Sequence, residues 1–264
     1  MNLFLHELKA YKKSILIWAL SMAGLAVLYI SMFSSMVREI DAYKNVLASM
    51  PEAMRKALGI YVDSIASLEG YYSFVFVYII LCGAIQAMNL GLGIVSKEIT
   101  GKTAEFLMTK PVSRSDVLGG KVLAAIVALA ITNAIYLFIM VAILLTVDQD
   151  FSMKIFLLIS LTTLFVQLMF FALGLLVSAA LGKIRSVISI SISTVFGFFI
   201  VSAIGSLLDD EAMRYFSPFK YFETAYIIKH AAYEVPFSIA AGVFVVAAIS
   251  LSFFIFVKKD IHAV

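Results

Sequence analysis

Long apolar runs separated by short polar segments set the pattern of this chain. Six runs are continuous: Ser14 to Val37, Tyr71 to Ser96, Val122 to Val147, Ile155 to Leu181, Val187 to Leu208 and Phe237 to Val257. Each reaches the roughly 20 residues that a helix needs to cross about 30 Å of hydrocarbon. Strands of a membrane barrel alternate apolar and polar positions in short segments, so unbroken runs predict helices. The stretch SVISISIST in the fifth run does alternate, but a lone strand in lipid leaves its backbone groups unpaired, and helix is the safer reading there too. The predicted fold is an all-α integral membrane protein, one domain over 1–264 with six transmembrane helices.

The segments between the runs carry patterns of their own. From Leu3 to Lys13, Phe4, Leu5, Leu8 and Tyr11 recur near helical spacing among Lys9, Lys12 and Lys13. That pattern predicts an amino-terminal interfacial helix, with Trp18 as a headgroup-level anchor. The same start resembles the front of a signal peptide, but the apolar run after it is too long and no small-residue cleavage site closes it, so it is expected to be retained. Residues 38–70 hold SMPEAMRKALG, where Pro51 suits a first helical turn and Gly59 a stop. Met50, Met54, Ala57 and Leu58 would share a face resting on lipid or on a neighbouring span. Between the last two runs, Asp209 and Asp210 are candidate caps. Tyr215, Phe216, Phe219, Tyr221 and Phe222 cluster around Pro218, predicting short outer helices, either re-entrant or lying on the surface at the water–lipid boundary.

Composition agrees: 62% of the 264 residues are hydrophobic and 14% charged, too few polar groups to cover a soluble domain. Alternate loops differ in charge. The amino-terminal segment, 97–121, 182–186 and the tail after Val257 hold 12 Lys and Arg against 5 acidic residues, whereas the opposite loops hold 8 against 12. Positive charge accumulates on the cytoplasmic side, which places both termini and 97–121 inside, in a multi-pass protein of the cell membrane. The net charge of +3 reflects topology and implies no nucleic-acid partner.

Candidate chemistry within the spans is sparse. No Asp, Glu, Lys, Arg or His falls at mid-membrane depth, against a proton relay or an ion-coupled carrier. Cys82 has no second thiol, and His6, His230 and His262 lack partners at ligand spacing, so no metal site is expected. Gln86 and Asn89 in the second run, Asn133 in the third and Gln167 in the fourth read first as interhelical hydrogen-bonding groups. Gln86 and Asn89 are also the candidates for facing a transport cavity. Ser189, Ser193 and Gly197 leave a smooth strip for helix packing or a dimer face.

One charged island stands between the second and third runs, the 25 residues KEITGKTAEFLMTKPVSRSDVLGGK from Lys97 to Lys121. Gly101, Lys102 and Thr103 resemble the end of a phosphate-binding loop, but Ser96 replaces its first glycine and a membrane helix precedes it, so the chain is not expected to hydrolyse ATP. From Thr103 to Met108 the island reads as an amphipathic helical turn stopped by Pro111, with Ile99, Phe106 and Leu107 on one side and Lys102 and Glu105 elsewhere. So short a helix is marginal alone and makes sense if it docks into a groove.

Glu98, Thr103, Ala104, Glu105, Phe106, Leu107, Thr109, Lys110, Pro111, Val112, Ser113, Arg114 and Lys121 resemble the corresponding loop of ABC-2 type transporter permeases, with Met108 at a usual leucine. The resemblance extends to MPEAMRKALG, to Glu69-Gly70-Tyr71 and to Ser217-Pro218-Phe219-Lys220-Tyr221-Phe222, and so covers nearly the whole chain. It implies a six-helix permease subunit of an ATP-binding cassette exporter, without catalysis of its own. Such a subunit pairs with a second copy or a related permease, and with separate ABC ATPase subunits that hold the ATP and Mg. The cytoplasmic coupling helix would lie between spans 2 and 3 and seat on the ATPase, using Glu98, Thr103, Glu105, Phe106, Leu107, Pro111 and Arg114, beside the amino-terminal helix. A hydrophobic or amphipathic cargo such as a peptide, antibiotic or lipid suits a bundle without buried charge. The competing reading is a membrane scaffold or sensor that holds a cytoplasmic partner and transports nothing. An intramembrane enzyme is disfavoured because the spans lack a catalytic constellation.

Overall fold

The computed structural model describes residues 3–58, 60, 62, 64–100, 113–147, 151–181, 184–208 and 211–258. Among them there is no strand, and six helices are long and apolar enough to cross a membrane. These are α1 (Leu3–Arg38), α4 (Leu68–Thr100), α5 (Arg114–Leu144), α6 (Met153–Leu181), α7 (Val187–Leu208) and α10 (Val235–Lys258). Shorter helices fill the connections: α2 (Ile40–Ser49), α3 (Glu52–Ala57), α8 (Glu211–Arg214), a 3-10 turn at Pro218–Lys220 and α9 (Thr224–His230).

The amino-terminal stretch departs from the sequence expectation. It is not a separate interfacial helix but the first turns of α1, which runs unbroken for 36 residues. The reason is local: no Gly or Pro occurs before Gly24, and nothing else in the stretch interrupts the hydrogen-bond ladder. The helix α2 was also not anticipated. At the Pro51 segment a helix does start directly after the proline, and α3 packs against α7, but Met54 of the expected face points outward, and Gly59 and the Ala57 side chain lie outside the described residues.

The bundle is built on α4 and α6, whose most apolar stretches are 67% and 56% buried, against 17% for α7 and α10. Backbone-to-backbone approach accounts for this. A Cβ added to Gly91 would lie 2.3 Å from the Phe171 carbonyl oxygen, and one on Gly174 would lie 2.8 Å from that of Met88. With Ala87 between them, Gly83 and Gly91 form a strip of small residues at four-residue spacing, which lets one membrane helix settle directly on another. Ser178 Oγ donates to the Leu92 carbonyl across the same contact, 2.8 Å. Around this pair, α1 packs on α4 and α5, α10 on α6, and α7 on α4.

Candidate coupling site and candidate subunit face

The two helices that bracket the charged island fix where its ends emerge. Helix α4 continues through Glu98 to Thr100, and α5 begins at Arg114 behind an N-cap at Ser113. Ser113 Oγ accepts from Asp116 N at 3.1 Å and donates to the Asp116 carboxylate at 2.6 Å. This reciprocal arrangement satisfies a free N–H of the first turn and pins the chain as it re-enters the bundle. Arg114 is the first residue of that helix. Thr103, Glu105, Phe106, Leu107 and Pro111 lie outside the described residues, as does the side chain of Glu98.

Two turns further along α5, Lys121 Nζ donates to Glu7 Oε1 of α1 at 3.0 Å, with side-chain exposures of only 5% and 10%. Leu3 rests on Gly120 just above. The first turns of α1 are thus tied to the root of α5, at the end of the bundle where the island enters and leaves. Sequence reasoning missed this pair. Lys121 belongs to the loop motif, but 114 residues separate it from Glu7, and a charge on an interfacial helix normally faces water.

Deeper in the bundle the polar side chains meet one another. Gln167 Nε2 donates to Gln86 Oε1 at 3.1 Å, Gln86 Nε2 to Thr132 Oγ1 at 3.0 Å, and Asn133 Nδ2 to Gln167 Oε1. All four residues are buried, so α4, α5 and α6 are joined by one hydrogen-bonded knot. Asn133 Oδ1 and Thr163 Oγ1 are buried without a hydrogen-bond partner among the described residues. A second knot, which sequence reasoning also missed, joins the same helices: Tyr72 OH bonds to Tyr136 OH and, at 2.8 Å, to Ser160 Oγ. Gln86 therefore faces protein on every side in this chain. Asn89 accepts from Ser191 Oγ of α7 at 2.8 Å and is half-buried.

Helix α7 presents the opposite situation. Ser189, Ser193 and Gly197 are all exposed, and a Cβ at Gly197 would meet nothing within 4 Å. Exposed Ile188, Ile192 and Phe196 run alongside them. Among the described residues the strip thus packs against no helix and lies open. At the other end of the bundle, Arg214 pairs with Glu234 at 2.6 Å and lies 4.0 Å from the centre of the Phe237 ring. Glu69 Oε1 accepts from Ser152 N at 2.7 Å, just ahead of α6. Burial pushes the Tyr233 hydroxyl up to about 12, so it stays protonated and donates to the Leu158 carbonyl at 2.6 Å. No group of three or more His, Cys, Asp or Glu able to hold a metal ion occurs among the described residues.

Six spans, a basic island between the second and third, and a first helix tied to α5 at Lys121 are the frame against which the chain compares with known families. The family model described as ABC-2 family transporter protein matches residues 1–261. The chain belongs to the ABC-2 transporter family. It is a membrane-embedded permease component of an ABC transporter. No curated protein and no solved structure matches it. For this permease, the family match spans all six membrane helices and the island together, as the loop motif implied.

Proposed function

We propose that this permease subunit couples ATP hydrolysis by separate ABC ATPase subunits to export of a hydrophobic or amphipathic molecule. The observation that carries the reading is the convergence of the island's two ends and the α1 terminus on one end of the bundle, locked by Glu7 and Lys121. A partner pressing on an element seated there would move α1, α4 and α5 together. The island, with Glu98, Thr103, Glu105, Phe106, Leu107, Pro111 and Arg114, is the docking element, and ATP and Mg belong to the partner. The charge asymmetry of the loops supports cytoplasmic termini. The open strip of Ser189, Ser193 and Gly197 supports pairing with a second permease copy through α7, since small residues let helices approach closely. A cargo free of strong charge fits spans whose deeper polar groups, such as Gln86, Thr132, Asn133 and Gln167, are uncharged amides and hydroxyls.

Coupling requires the ATPase to favour one permease conformation over another. Glu105→Ala and Pro111→Leu are therefore expected to leave the assembled complex and its ATP hydrolysis in place while cargo movement into inverted vesicles falls. Undiminished transport by both variants would overturn the coupling role of the island.

A further inference from the structure

A cavity of about 340 Å³ opens between α6 and α10, apart from the island, the α7 strip and the polar knots. Its wall is almost wholly apolar. Phe165, Phe222 and Tyr233 form a closed aromatic triad at one end, with ring centroids 5.4, 5.5 and 5.6 Å apart. The two hydroxyls on the wall are already engaged, because Tyr233 donates to the Leu158 carbonyl and Ser238 to the Glu234 carbonyl. A polar ligand would lose its water and find no hydroxyl proton in exchange. An apolar ligand loses nothing, and the volume falls in the range of small-molecule sites.

The position of the cavity selects the ligand further. Its α10 wall runs from Ser238 to Val246, about 12 Å along the helix axis, close to the roughly 15 Å depth of one leaflet's hydrocarbon. The aromatic end lies toward the 209–234 segment, where charged Arg214 and Glu234 mark the boundary. Its flank is open, since Gly242 and Val246 are exposed, and a Cβ on Gly242 would meet nothing within 4 Å. Gly91 and Gly174 have backbone contacts that demand glycine; Gly242 has none, yet it weakens its helix. What its missing side chain leaves is room.

We propose that this cavity holds one acyl chain of a bilayer phospholipid from the leaflet on the 209–234 side, inserted laterally between α6 and α10. The site is independent of the transport reading. The test uses the full chain in proteoliposomes containing a phosphatidylglycerol with a diazirine midway along one acyl chain, with photolabelled residues located by mass spectrometry. Labelling is expected to concentrate on Phe165, Leu168 and Val245 relative to Phe254, an exposed α10 residue outside the cavity. Gly242→Phe should lower cavity labelling about tenfold by excluding roughly two methylenes, with Phe254 labelling unchanged. Leu168→Trp fills the cavity from the facing wall and should act alike, and each variant is checked for an unchanged elution profile and melting temperature. Equal labelling of the cavity and Phe254 in the parent chain would overturn the proposal. So would labelling that persists in both folded variants, or labelling by a diazirine fatty alcohol but not by the phospholipid.

Discussion

At the scale of single residues, stability rests on a few places where one atom decides. Gly91 is one: its added Cβ would sit 2.3 Å from a backbone oxygen, which no side-chain adjustment relieves. Gly91→Ala should cost about 1–3 kcal/mol, the range of overpacked cores, read as a lower melting temperature in detergent, whereas Gly242→Ala should lose nothing. Glu7 and Lys121 are another. Replacing either by a neutral residue breaks this buried ion pair and should cost about 3–5 kcal/mol. The reversed pair, Glu7→Lys with Lys121→Glu, should recover part of that loss, and a double-mutant cycle measures the coupling. Tyr233 makes a prediction with a definite sign. Its hydroxyl is raised from 10.0 to about 12, so its contribution is complete below pH 10 and is lost as pH rises through about 12, where the unfolded chain ionises and the folded one resists. Tyr233→Phe should flatten the fall in stability over that alkaline window relative to the parent chain.

At the scale of elements, the six spans were legible because each is a long unbroken apolar run, and the helices begin and end within a few residues of those runs, except at the fronts of α1 and α5, the latter starting eight residues early at Arg114 behind its Ser113 cap. In α1 the charges Lys9, Lys12 and Lys13 suggested a separate element, but charge sets where a helix lies in the bilayer and does not break it; breaking takes Pro, Gly or a lost backbone bond. The pairing of spans was less legible. The eye went to Ser189, Ser193 and Gly197, while the strip that packs within the chain is Gly83, Ala87 and Gly91, hidden in an equally apolar run. Small residues at helical spacing mark a face fit for close approach without saying which helix fills it. Gln86, Asn133 and Gln167 were recognised as interhelical groups, but their common meeting point depends on the mutual rotation of α4, α5 and α6, which no single run encodes. Gln167→Leu removes the centre of that knot and should cost about 1–2 kcal/mol, in keeping with hydrogen bonds between membrane helices, measured by thermal unfolding. The island itself was legible from its motif, and the family match spans it; the docking role proposed for Phe106 and Leu107 rests on residues outside those described.

At the scale of the whole molecule, the permease has a firmly packed centre and two lightly covered spans. Helices α4 and α6 share backbone contact and both polar knots, whereas α7 and α10 bury only 17% of their apolar stretches. Those outer helices leave the most apolar surface uncovered, and the two proposed partners divide it: a second subunit on the α7 strip and lipid in the α10 cavity. The island is joined to the centre through α4 and α5 and to α1 through the Glu7–Lys121 pair, so force applied there has a direct path into the bundle. That path is useful only if an ATPase sits on it. The decisive measurement is therefore mass spectrometry of what co-purifies with the tagged chain from its native membrane in mild detergent, with a Glu105→Arg variant alongside. An ABC ATPase is expected with the parent chain and is expected to be lost from the folded variant; absence of any nucleotide-binding protein from an intact parent bundle would overturn the coupling role of the island.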